Sequence, residues 1–116
     1  MFDKEFFPTP ENVLDLMQID CVNKIVLEPH AGKGNIVDYL INNNAKEVIA
    51  IELNKDLKKI VESKCKVIGS DFLECTEEEI SHIDLIVMNP PFSNADKHII
   101  HAFEIAPEGC EIISLC

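Results

Sequence analysis

The chain has no CxxC pair: its five cysteines, Cys21, Cys65, Cys75, Cys110 and Cys116, are odd in number and scattered. That distribution speaks against a metal cluster or a disulfide framework and reads as small core residues in a reducing compartment. No apolar run approaches the roughly 18 residues that a bilayer-spanning helix needs. Asp3, Lys4 and Glu5 break up the start, where a secretory signal would be apolar. A cytoplasmic protein without membrane contact is therefore expected. Positive charge is also scarce: 10 basic residues face 21 acidic ones, for a net charge of −11, and there is no arginine-rich stretch. Phosphate backbones are held by neutralising lysines and arginines, so a polyanionic substrate would need basic surface supplied from elsewhere.

What is present is a regular alternation. At 116 residues and 47% hydrophobic content, the chain is long enough for one domain with a core and too apolar for wholesale disorder. Thr9 can cap a helix that has Pro10 at its first position and Val13, Leu14 and Met17 on one face. Lys24–Glu28 reads as a strand ending at Pro29. A glycine turn follows, then a helix with Ile36, Val37, Leu40 and Ile41 at helical spacing, ended by Asn42, Asn43 and Asn44. Glu47–Leu53 is a second strand. Asn54 caps a helix that buries Leu57, Ile60 and Val61, and Lys66–Gly69 is a short third strand. Thr76 and Glu79 make a capping box for a short acidic helix, with Glu77 to Glu79 favoured at its start by the dipole. The strand Ile83–Met88, a helix over roughly 94–106 and a last strand in Glu111–Leu115 complete the series. Short strands alternating with helices imply an α/β fold with a doubly wound, largely parallel sheet. Residues 1–116 are expected to form a single domain, cut short after the fifth strand because a parallel sheet would normally continue.

The strand ends carry the chemistry, since open α/β sheets bind ligands at the carboxyl ends of their strands. After the first strand, Glu28-Pro29-His30-Ala31-Gly32-Lys33-Gly34 joins it to a helix, and Gly32 and Gly34 permit positive φ and close backbone approach. Val37 stands where a GxGxxG fingerprint needs its third glycine, which counts against a dinucleotide pyrophosphate. Glu52, about 20 residues on, suits the two hydroxyls of a ribose. Asp71 can accept from an adenine amino group, and the Phe72 ring can cover a purine face. The fourth strand ends in Asn89-Pro90-Pro91-Phe92. Two prolines remove two donors and hold the chain extended, so that an amide and an aromatic ring are presented from a stiff turn. His98 and His101, three apart on one helix, lack a third ligand, and no metal site is expected. Lys33 reads as a solvent-facing residue, and His30 as either a cofactor contact or loop filler.

Taken together, these four strand ends resemble the class I S-adenosylmethionine-dependent methyltransferases. Within them the chain is similar to amino-methyltransferases that carry Asn-Pro-Pro-aromatic or Asp-Pro-Pro-aromatic. Glu28 through Gly34 resembles that family's first motif, and Glu52 and Asp71 its next two acidic positions. Phe7-Pro8-Thr9-Pro10 resembles an upstream element of adenine-specific DNA methyltransferases that helps hold the methionine end of the cofactor. The resemblance implies a Rossmann-like methyltransferase fold and S-adenosylmethionine as cofactor. It implies cofactor contacts at Thr9, Pro10, Glu28, Pro29, His30, Ala31, Gly32, Gly34, Glu52, Leu53, Asp71, Phe72 and Asn89, and a catalytic tetrad of Asn89, Pro90, Pro91 and Phe92. Cofactor motifs ahead of the tetrad match the DNA methyltransferase group whose target-recognition region lies further toward the C-terminus.

The residues themselves suggest how such a site would work. A ring-conjugated amine is a poor nucleophile because its lone pair is delocalised. The Asn89 side-chain oxygen and the Pro90 carbonyl could accept its two N–H groups and localise the lone pair, a matter of positioning and electrostatics. Phe92 would stack on the target ring, which in a duplex must first be flipped out. The expected activity is methyl transfer to an exocyclic amine, with adenine in DNA as the leading substrate. RNA and a protein glutamine side chain remain alternatives, as does a non-catalytic module that binds the cofactor or a partner.

Overall fold

Strict two-residue alternation, with both sets apolar, sends the strand side chains into two separate cores. Val26, Val48, Ala50, Leu85 and Val87 point to one face of the sheet, and Leu27, Ile49, Ile51, Ile86 and Met88 to the other. A strand buried on both sides has no polar face to give, which is the pattern of a parallel sheet covered by helices. A computed structural model describes residues 18–115. In it, β1 (Ile25–Glu28), β2 (Glu47–Ile51), β3 (Lys66–Gly69), β4 (Leu85–Met88) and β5 (Glu111–Ser114) form one sheet in the order β3-β2-β1-β4-β5. Every pairing is parallel. The expected doubly wound sheet is the observed one.

Three α-helices link the strands: α1 (Asn35–Asn42), α2 (Lys55–Glu62) and α3 (Ala95–Ile105). Residues of α1 and α2, among them Val37, Leu40 and Val61, fill the first core, while Ala102 and Ile105 of α3 fill the second together with Phe72 and Ile80. The chain winds outward from β1 through β2 to β3, then returns beside β1 and winds the other way. The strand order therefore reverses between β1 and β4, which is where doubly wound sheets open a crevice for ligands. Burying side chains such as Leu27, Leu85 and Ile86 completely contributes about 1.5–3 kcal/mol each. A charge placed at Leu85 would have no partner in the sheet centre and would break it.

Local signals read from the sequence are met with some corrections. The Asn54 side chain accepts from the amides of Asp56 and Leu57 at 2.9 and 3.1 Å and starts α2. Asn44, just past α1, adopts φ 69°, the left-handed geometry expected of the asparagine run. The capping box holds, with Thr76 N donating to Glu79 Oε1 at 3.0 Å and Glu79 N to Thr76 Oγ1 at 3.4 Å. The expected acidic helix, however, is one 3₁₀ turn over Glu78–Ile80, because the chain must enter β4 five residues later. Glu52 and Leu53 lie beyond the end of β2, and Ile83 and Asp84 lie before β4. Ile41 and Ile60 are exposed, contrary to expectation. Each residue turns a helix by about 100°, so the stripes centred on Leu40 and on Leu57 with Val61 leave them at the flank. Cys21 and Cys75 are core residues, Cys65 and Cys110 are half-buried, and all four carry free thiols. Among the described residues no helix is long and apolar enough to cross a membrane. The expected helix at Thr9 and Pro10, and Cys116, lie outside the described residues.

Candidate active site

The carboxyl ends of β1 to β4 open into one cavity of about 510 Å³, within the usual range for small-molecule sites. Its first wall is the turn after β1. Gly32 (φ 58°) and Gly34 (φ 92°) both need the left-handed region, as expected. A side chain at Gly34 would also press on Lys64 at 3.0 Å, and Lys64 is tied to Asp38 of α1 at 2.7 Å. The turn is held from β2 as well, with Ala31 N donating to the Ile51 carbonyl at 3.1 Å.

Glu52 clamps this turn to the neighbouring one. Its Oε1 accepts from Gly32 N at 2.6 Å and its Oε2 from Asn54 N at 2.8 Å. Both oxygens keep a further lone pair, so the carboxylate is aimed by two backbone amides and can still accept from a ligand. Glu28 has a different place. It is fully buried, does not line the cavity, and its Oε2 has no hydrogen-bond partner. Burial, with Glu52 adding to it, pushes its carboxyl well above the usual range. The expected direct contact of Glu28 with a ligand is thus corrected to a residue beneath the turn, whose Oε1 accepts from His30 N at 3.3 Å. Gly34 likewise lies off the cavity wall and serves as the N-cap of α1.

At the end of β3, Asp71 Oδ1 accepts from Leu73 N at 2.9 Å and starts a 3₁₀ turn. Phe72, expected to cover a purine, lines the cavity with only 1% of its surface exposed. Its ring is committed to the core. It meets His30 and His101 edge-on, with centroids 5.7 and 5.1 Å apart, and stacks with His98 at 6.0 Å. Leu53 is 72% exposed at the cavity mouth and offers the free apolar surface that Phe72 does not.

Sequence reasoning missed the histidine pair under this wall. His30 Nε2 and His98 Nδ1 are 2.8 Å apart and share a hydrogen bond, and both residues line the cavity. Burial first, and His98 second, push His30 from its ordinary 6.5 down to about 3. His98 is also lowered by burial, with Asp71 opposing and His101 adding to the shift. His101 bonds instead to the Cys75 carbonyl at 2.9 Å. One signal for His98 was available. It stands at i, with Ala102 at i+4 and Ile105 at i+7, so it occupies a core position of α3 and a buried imidazole needs a partner. Nothing local names that partner, which lies 68 residues away. Among the described residues no cluster of histidine, cysteine and carboxylate could hold a metal.

The fourth wall is the tetrad. Pro91 is extended (φ −62°, ψ 141°), and a 3₁₀ turn over Phe92–Asn94 leads into α3. Asn89, Pro90, Pro91 and Phe92 all line the cavity, and the Phe92 ring is 66% exposed at its rim. Asn94, also unforeseen, lines the same space; its Oδ1 is buried without a partner. Of the expected residues, Pro29, His30, Ala31, Gly32, Glu52, Leu53, Asp71 and Phe72 therefore meet the tetrad at one cavity. Thr9 and Pro10 lie outside the described residues.

No protein-family model matches the chain. Over 79 residues it is 33% identical to the ribosomal RNA small subunit methyltransferase A of Pelagibacter ubique, covering 64% of this chain and 30% of that one. A Pyrococcus horikoshii protein, proposed to be an RNA methyltransferase, superposes with a TM-score of 0.67 at 26% identity, over 90% of this chain and 53% of that one. An RNA methyltransferase of Salinibacter ruber, solved with S-adenosyl-L-homocysteine, gives 0.66 at 23% identity, over 84% and 70%. The chain thus spans 30% of the length of the curated relative and about half of the Pyrococcus structure. Its fold is that of the class I S-adenosylmethionine-dependent methyltransferases.

Proposed function

We propose that the chain is an S-adenosylmethionine-dependent methyltransferase that modifies an exocyclic amine of a nucleic-acid base, with adenine in RNA as the leading substrate. The observation that carries this reading is the meeting of the tetrad with Glu52 and Asp71 around one cavity at the strand switch point. Motif order alone favoured DNA. The named relatives favour RNA instead, since one methylates ribosomal RNA and another is an RNA methyltransferase. The net charge of −11 still requires basic surface from outside this chain to hold a nucleic-acid backbone.

The residues fit the cofactor. Glu52, fixed by two amides, would accept from the ribose hydroxyls; Leu53 would cover the purine and Asp71 would accept from its amino group, all three lining the cavity. Gly32 keeps the β1 turn free of a side chain, where the amino-acid end of the cofactor would approach. When bound, the cofactor supplies an electrophilic methyl group. The chain supplies position: Asn89 Oδ1 and the Pro90 carbonyl accept the two N–H groups of the target amine and turn its lone pair toward that methyl. Asn89 does not act as a base, so the proton leaves after transfer. Phe92, exposed at the rim, stacks on a target base that has left its helix.

The test is calorimetric titration of the folded chain with S-adenosylmethionine, followed by transfer of labelled methyl to RNA, DNA and protein extracts. Binding and label in RNA are expected. Absence of binding would remove the cofactor from the reading, and label confined to protein would overturn the substrate.

A further inference from the structure

The charges of the chain are unevenly spread. Residues 18–70 carry 8 basic and 7 acidic side chains, whereas 71–115 carry 10 acidic ones and a single lysine, Lys97. The acidic half is the one that holds the tetrad, α3 and β5. From it, α3 turns two large apolar side chains outward. Each residue turns a helix by about 100°, so Ile100 and Phe103 lie opposite His98, Ala102 and Ile105, which face the core. They are 58% and 69% exposed. Asp96 and Glu104 stand one turn to either side of Ile100 on the same exposed face. Neither makes an ion pair among the described residues. The bond between His101 and the Cys75 carbonyl brings the segment leading to exposed Glu77, Glu78 and Glu79 against the same helix.

Such a face excludes one class of partner and selects another. Its carboxylates repel phosphates, so the bare tetrad side cannot hold a nucleic-acid backbone. A surface that carries both cations and apolar side chains is its complement: the charges pair around the rim, and Ile100 and Phe103 are buried at the centre. We infer that the outer face of α3 docks a separate protein with a basic, apolar contact surface, which supplies the cations that this chain lacks. The need for those cations rests on reading the cavity as a site of nucleic-acid methylation. Phe103 lies eight residues beyond the start of α3, about 12 Å along its axis. The partner therefore sits behind the tetrad and leaves the cavity open.

The experiment uses the whole chain and two defined probes: a helical peptide with leucine on one face and lysine on the other, and the same peptide with glutamate in place of lysine. Amide NMR should place the lysine peptide on α3, with an affinity that falls as salt rises. The double variant Ile100→Ser, Phe103→Ser alters exposed positions and keeps the fold. It should bind the lysine peptide about tenfold more weakly or worse, whereas Val22→Ser, exposed elsewhere, should change nothing. The glutamate peptide should not bind. No binding of the lysine peptide, equal binding of the two peptides, or binding that the double variant leaves intact overturns the inference. So does a wild-type dimer in sedimentation that the double variant dissociates, which gives the face to a second copy. A single-stranded RNA that binds the free wild type and is released by the double variant gives it to nucleic acid instead. Neither cofactor nor methyl transfer enters these measurements. A chain that docks the lysine peptide yet transfers no methyl refutes the proposed activity and leaves the docking surface standing.

Discussion

The two halves of the cavity are built differently. On the side of β1 to β3, the carboxylates of the cavity wall are held by backbone amides, Glu52 by Gly32 and Asn54 and Asp71 by Leu73, and His30 bonds to His98, while Glu28 Oε2 and His30 Nδ1 beneath them have no partner. On the tetrad side, Phe92 stands exposed, α3 begins without a side-chain cap, and Asn94 Oδ1 has no partner. The first half is preorganised and costs little to complete on binding. The second presents an exposed ring at Phe92 and a buried acceptor without a partner at Asn94 Oδ1. A small, constant cofactor suits a rigid half, and a base that must be drawn out of a larger molecule suits an open one.

The sharpest way to break this contrast is at the tetrad. Asn89→Ala should lower methyl transfer by about 10²–10³-fold, as loss of one charge-stabilising group does elsewhere, while the affinity for S-adenosylmethionine stays unchanged by calorimetry. Equal activity would remove Asn89 from the mechanism. On the rigid half, Glu52→Ala deprives two backbone amides of their acceptor. It should cost about 1–3 kcal/mol of stability in urea titrations and weaken the cofactor by more than tenfold. If stability alone falls, Glu52 is only a clamp.

Smaller effects separate the buried ionisable groups by pH. Folded His30 resists protonation until about pH 3, whereas the unfolded chain takes its proton near 6.5. The unfolded state therefore binds more protons in this window, and stability falls as pH drops from 6.5 toward 3. His30→Asn should flatten that loss relative to the wild type. Glu28 acts in the opposite sense: its folded carboxyl holds a proton longer than the ordinary 4.5, so stability is lost as pH rises above 4.5. Glu28→Gln should gain on the wild type with rising pH in denaturation curves measured across that range. The smallest stability change belongs to the exposed ring. Phe92→Ala should shift unfolding by no more than about 0.5 kcal/mol, yet weaken transfer by raising the KM for nucleic acid. A large loss of stability would mean that the Phe92 ring serves packing instead of substrate.

Much of the rigid half was legible in the chain because its signals are local. Asn54 two residues after Glu52, Thr76 three before Glu79, and glycines at 32 and 34 each act within one turn of backbone, where short-range sterics and hydrogen bonding decide. The tetrad was legible for the same reason, since two prolines fix their own stretch. The misreadings all involve distance or angle. Ile41 and Ile60 depend on which way a helix rolls onto the sheet. Glu28 reads as a ligand contact in one dimension, and its burial follows from its position under the turn. Phe72 looks like a free aromatic until the helix carrying His98 and His101 packs against it.

The sequence by itself determined the alternation of elements, the parallel sheet with two apolar faces, and the placing of a glycine turn, two carboxylates and the tetrad at four strand ends. These depend on periodicity and on turn chemistry, which are properties of neighbouring residues. Only the tertiary structure decided that Glu28 lies buried beneath the site, that Phe72 belongs to the core, and that His30 and His98 form a pair. Those outcomes depend on residues from separate elements competing for the same buried volume and for each other's hydrogen bonds. No local pattern encodes that competition, because it exists only once the sheet has brought the strand ends together.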